Sequence, residues 1–113
     1  MEKQRVIQEY VPGKQITLAH VISKPQRGLC DKLGFPEAHG ESLGILTITP
    51  GEGAILAGDL ATKAGQISLC YVDRFSGSVV IRGEVAAVES SLKAVVSVLS
   101  DRLGFTGCQV SRT

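Results

Sequence analysis

Apolar and polar residues alternate in short runs along most of this chain, and helical spacing replaces the alternation in three places. Arg5 to Val11 alternates Val6, Gln8 and Tyr10 against Ile7, Glu9 and Val11, which predicts a short strand before the Pro12-Gly13 turn. Lys14 to Ile22 is rich in β-branched residues and predicts a second strand. Ser23-Lys24-Pro25 predicts a helix start with proline in the first turn, an apolar stripe of Leu29, Cys30 and Leu33, and a stop at Gly34. Phe35 to Ser42 reads as a loop. Leu43 to Thr49 is a mostly apolar strand, and Thr49-Pro50-Gly51-Glu52 is a candidate capping box for the helix behind it. That helix carries Ile55, Leu56 and Leu60 and ends at Gly65. Ala57, Gly58, Ala61 and Ala64 make it slim enough to lie close to a sheet or another helix.

Gln66 to Val72 and Ser78 to Arg82 predict two strands joined by Asp73-Arg74-Phe75-Ser76-Gly77. Val85, Val88, Leu92, Val95, Val96, Leu99 and Leu103 keep helical spacing up to Gly104. Phe105 to Val110 is expected to close the chain as a strand. Strand, helix, strand, hairpin, strand, helix, strand is the split βαβ order, so the fold class is α+β, a ferredoxin-like βαββαβ unit. Ile67, Leu69 and Tyr71 should share one sheet face, with Ser68, Cys70 and Val72 on the other. Apolar side chains on both faces suggest a sheet covered twice or used in assembly.

The chain has 113 residues, enough for one core and too few for two. Aromatic residues are 4% with no Trp, so aliphatic side chains must fill that core. A net charge of +1 from 12 basic and 11 acidic residues leaves no electrostatic footprint for nucleic acid. No apolar run is long enough for a membrane span, and the opening Glu2, Lys3, Gln4 and Arg5 does not read as a secretory leader, so a cytosolic protein is expected. Cys30, Cys70 and Cys108 are odd in number and match no zinc spacing, which favours buried or half-buried thiols.

Candidate chemistry is sparse. His20 lies in a strand and His39 in a glycine-rich loop, with no Cys or Asp at nucleophile or metal spacing. Gly51-Glu52-Gly53 looks like a fragment of a phosphate loop, but Glu52 would repel an anion, and helix capping explains it better. Asp73-Arg74 fits an ion pair closing the hairpin, a substrate-binding pair or a pore lining; the ion pair is favoured from sequence alone. Lys63 complements a helix dipole. No catalytic, metal or cofactor site emerges, and a binding or building-block role is favoured over catalysis.

Specific words now carry more. Ala57-Gly58-Asp59 to Lys63-Ala64, Ser76-Gly77 and Arg82-Gly83-Glu84-Val85-Ala86-Ala87-Val88 resemble the bacterial microcompartment (BMC) shell-protein domain. Leu18-Ala19-His20-Val21-Ile22-Ser23-Lys24-Pro25 resembles the strand that closes ordinary members of that family, yet it stands ahead of the core unit. With the opening Ile7 to His20, that order resembles the circularly permuted branch, typified by ethanolamine- and propanediol-utilisation shell proteins.

The resemblance implies a non-enzymatic homohexameric tile in the shell of a polyhedral body in the cytoplasm, needing no cofactor. Its partners would be itself, other shell proteins and the enclosed enzymes, with no nucleic acid or membrane. It divides the chain into an N-terminal arm, 1–13, and a permuted shell domain, 14–113. Arg5, Val6, Ile7, Gln8, Glu9, Tyr10 and Val11 would join five further copies in an axial six-stranded β-barrel, with Ile7 outward, that caps a central pore. Closure would leave no strand edge unpaired. Asp73, Arg74, Phe75, Ser76 and Gly77 would form the axis-proximal hairpin, and Lys63 and Lys24 the tile edge. Two other classes remain in view: a small-ligand-binding regulatory domain of ferredoxin-like fold, and an enzyme using Asp73 or His20.

Overall fold

Ile16, Ala19 and Val21 are buried on one side of an eight-residue strand, β1 (Gln15–Ile22), while its other residues stay partly open. The computed structural model describes residues 13–113 and places β1 inside a five-stranded sheet. Helix α1 (Arg27–Leu33) and a short 3-10 turn (Pro36–Ala38) lead to β2 (Ser42–Thr49) and α2 (Gly53–Ala64). Then follow β3 (Ser68–Asp73), β4 (Ser78–Gly83), α3 (Val85–Leu103) and β5 (Ser111–Arg112). The sheet order is β3-β4-β2-β1-β5, antiparallel throughout except that β5 runs parallel to β1.

The main core lies between one sheet face and the helices α2 and α3. Ile16, Val21, Leu46, Ile48, Val79 and Ile81 face Ala54, Ala57, Ala61, Val88, Leu92, Val95 and Leu99. Small residues let α2 approach α3 closely, and the fully buried Ser91 hydroxyl donates to the Ala61 carbonyl at 2.9 Å. The slim face expected of α2 is thus used against both α3 and β3. The alternate residues of the strands point the other way, where Leu43 packs with Cys30 of α1 and Ala38 of the 3-10 turn, beside Ile22, Phe35 and Val80.

Several expectations are corrected. Phe105 to Val110 does not form the closing strand. The place beside β2 is held by β1, paired from Gln15 opposite Thr49 to Ile22 opposite Leu43. The segment after α3 instead runs along the outer edge of β1. It bonds at one end through Thr106, whose N–H donates to the Lys14 carbonyl and whose carbonyl accepts from Ile16, and at the other through Ser111 to Thr113. In between, Cys108 and Val110 turn onto the core.

The first helix begins at Arg27, not at Ser23. Ser23 is still engaged in strand-like pairing: its N–H and hydroxyl donate to the Thr113 carbonyl and its own carbonyl accepts from Ser42. The capping box does not form either. Glu52 already has helical backbone angles, and the N–H groups of Gly53, Ala54 and Ile55 donate to the carbonyls of Pro50, Gly51 and Glu52. In β3 a bulge between Leu69 and Tyr71 breaks the expected alternation, so that Leu69 and Val72 flank Gly58 of α2 while Tyr71 lies opposite Val80. The loop from Phe35 contains the 3-10 turn, and the strand foreseen over Arg5 to Val11 lies outside the described residues.

Leu92 is 2% exposed at the centre of the main core. Leu92→Ala should destabilise the fold by about 2–5 kcal/mol, read as a lower urea midpoint with an unchanged slope.

Candidate functional site

The β3–β4 hairpin is shaped by one carboxylate. Asp73 accepts from the Phe75 N–H at 2.9 Å, the Ser76 hydroxyl at 2.9 Å and the Tyr71 hydroxyl at 3.1 Å. The Gly77 N–H donates back to the Asp73 carbonyl at 2.8 Å, and Ser76 also reaches the Ser78 hydroxyl. These donors favour the charged form, so the Phe75 amide and then the Ser76 hydroxyl hold the Asp73 carboxyl below its usual range. The hydrogen bond from the Tyr71 hydroxyl to Asp73, with the charge of that carboxylate, pushes the Tyr71 phenol up. Arg74 does not close the hairpin with Asp73, contrary to the favoured sequence reading. The acid instead accepts from three local donors, and the Arg74 guanidinium lies 4.9 Å from the centroid of the Phe75 ring.

Backbone contacts fix where this tip sits. Gly77 has φ +75, and a Cβ there would fall on the Ile48 carbonyl oxygen. A Cβ at Gly51, in the β2–α2 turn, would fall on the Arg74 carbonyl oxygen. The tip is therefore pressed main chain to main chain against the end of β2. Phe75 projects from it with 85% of its surface exposed.

The two lysines lie away from the hairpin. Lys63 stands in the last turn of α2, largely exposed, and pairs with Asp59 one turn earlier at 2.9 Å. Lys24 lies in the link between β1 and α1, at a shallow cleft formed with Ser23, Gly40 and Glu41. Arg5 to Val11 falls outside the described residues.

Both histidines have partners that sequence spacing did not disclose. His20 meets the Ser111 hydroxyl at 2.6 Å and the Thr113 hydroxyl at 2.9 Å, joining β1 to the end of the chain. His39 meets Asp31 of α1 at 2.8 Å and tethers that helix to the 3-10 turn. An aspartate does therefore face His39, although the two are too far apart in sequence for a local motif. Arg82 on β4 is paired with Glu41, which pushes the guanidinium still higher. The Cys70 and Cys108 thiols are pushed up by burial, the former drawn back in part by Arg82. No group of three or more metal-ligating side chains occurs among the described residues.

The second sheet face is only partly covered. Ile22, Leu29, Leu33, Ile45, Tyr71 and Val80 line an apolar cleft of about 580 Å³ there, with Lys32 at its side. The alternation in the sequence signalled this face, but α1 had to be placed before its extent was visible.

Known proteins share this arrangement. Residues 42–110 match the BMC domain family. The chain is 50% identical over 113 residues to the bacterial microcompartment shell protein EutS of Escherichia coli (strain K12), covering 100% of both chains. It is also 50% identical over 117 residues to the shell protein PduU of Salmonella typhimurium, again covering 100% of both. A solved CutR flat hexamer superposes with a TM-score of 0.86 at 42% identity, over 94% of this chain and 96% of that one. These relatives are structural shell proteins and give no support to a regulatory ligand-binding domain. The chain belongs to the BMC-domain family and is a structural subunit of a bacterial microcompartment shell.

Proposed function

We propose that six copies of this chain close into a ring-shaped tile of a microcompartment shell in the cytoplasm, and that such tiles join other shell proteins edge to edge around enclosed enzymes. The observation that carries this reading is the likeness to the CutR flat hexamer across nearly the whole chain. The protomer of that hexamer has the same backbone as this chain over nearly its full length, which is the support for a ring of the same kind. A ring is a heterologous contact that closes, which suits a protomer with two differently covered sheet faces.

In this reading the domain is a circular permutation. β1 is the first strand among the described residues yet fills the sheet position beside β2 that the last strand of an unpermuted βαββαβ unit would fill. The hairpin 73–77 turns toward the ring axis, residues 5–11 of the six copies close a small parallel barrel over the centre, and Lys63 and Lys24 lie at the outer edge. The barrel restricts passage through the middle, so the tile serves first as a wall.

Light scattering after size exclusion tests the ring directly: a mass near six protomers is expected, and a concentration-independent monomer excludes it. Lys63→Ala should leave that mass unchanged while sheets or tubes seen by electron microscopy diminish, because only the edge is altered. Asp73 supplies a pH test of the hairpin. Its folded carboxyl titrates below its unfolded value, so its contribution is present above the unfolded range and is lost as pH falls through the lowered folded one. The Phe75 amide resonance should hold its position from neutral pH through mildly acidic conditions, then move toward a random-coil shift. In Asp73→Asn that acid step should be absent.

A further inference from the structure

Phe75 is the most exposed large apolar side chain among the described residues, and Arg74 lies over its ring. An aromatic ring left 85% open on a hairpin whose position is otherwise fixed by backbone contacts suggests a surface awaiting a partner. The sheet register brings one segment of this chain within reach. Gln15 at the start of β1 pairs with Thr49 at the end of β2, and Ser78 at the start of β4 pairs with Thr47. The hairpin tip and the point where the N-terminal segment enters the sheet therefore share one end of the sheet. They are separated by the width of β2, about 10 Å at the usual strand spacing. Extended chain advances about 3.3 Å per residue, so residues 5–12 reach roughly 26 Å, well beyond that gap.

We propose that Phe75 is the seat on which the N-terminal segment, residues 5–11, rests in the assembled ring. This deepens the barrel reading above and depends on it. Ile7 and Val11 give the segment apolar surface on one side, and Glu9 between them carries the charge opposite to Arg74. The alternation places those three residues on a common face, the one read from sequence as outward from the barrel. Seating them on Phe75 removes apolar surface from water on both partners. It also sets Glu9 near a guanidinium already held against the ring.

The natural chain has no tryptophan, so Phe75→Trp gives a single emission reporter at this position. In the full-length ring its fluorescence should be blue-shifted and poorly quenched by iodide or acrylamide. Removing residues 1–12 should raise quenching several-fold in a particle that light scattering still sizes as a hexamer. The main core lies entirely within residues 16–110, so the shortened chain keeps its fold. A second, full-length variant carrying Ile7→Asp and Val11→Asp should show the same rise without any shortening. Equal quenching in intact, shortened and doubly substituted hexamers, or a freely quenched reporter in the intact hexamer, overturns the seat while leaving the ring standing. A monomeric intact protein overturns the ring itself.

Discussion

The pairing of β1 with β2 is the contact on which the rest of the molecule depends. It sets the first described strand between β2 and β5 and brings Ile16, Ala19 and Val21 under α3. It also offers an outer edge to the end of the chain, which attaches at Thr106 and again from Ser111 to Thr113. Without β1 the core beneath α3 would lose one wall and the C-terminal segment its support. Front and back of the chain are thus stitched together around one strand, with His20 holding two hydroxyls across the seam.

The two faces of the sheet answer different demands. On one, small residues of α2 and the aliphatic stripe of α3 leave little room, and even the buried Ser91 hydroxyl is satisfied. On the other, a seven-residue helix and a 3-10 turn cover only part of the strands and leave an apolar cleft. The Arg82–Glu41 ion pair and the His39–Asp31 hydrogen bond there fasten the cover to the sheet and to itself. Surface pairs of this kind contribute little individually, so the cover is held mainly by the packing of Cys30, Ala38 and Leu43.

Much of this was legible in the sequence. Composition and periodicity together locate β1, β2, α2, β4 and α3 to within a few residues, because each carries enough apolar side chains for one buried face. What periodicity could not supply was cross-strand information. The bulge at Cys70 depends on how β3 meets Val80, and it moved Tyr71 and Leu69 to opposite faces. Phe105 to Val110 has the composition of a strand, but β1 had already taken the neighbouring position. The turn between β3 and β4 is legible from its charged and small residues. Its internal chemistry was misjudged because adjacency in sequence suggested Asp73 with Arg74, whereas the turn geometry delivers amide and hydroxyl donors to the acid first. The strand over residues 5–11 is read from alternation, whereas its place in a barrel and the edge role of Lys63 and Lys24 rest on family resemblance.

The contact between Gly51, Gly77 and the carbonyls of Arg74 and Ile48 involves no side-chain functional group. Location and chemistry are therefore written in separate residues at the hairpin. The glycines determine where the tip lies, while positions 74 and 75 determine only what it displays. Side chains at those two positions can be exchanged for others of different charge or bulk without moving the loop that carries them. The tip is in this sense an interchangeable fitting on a fixed mount, open to redesign one residue at a time.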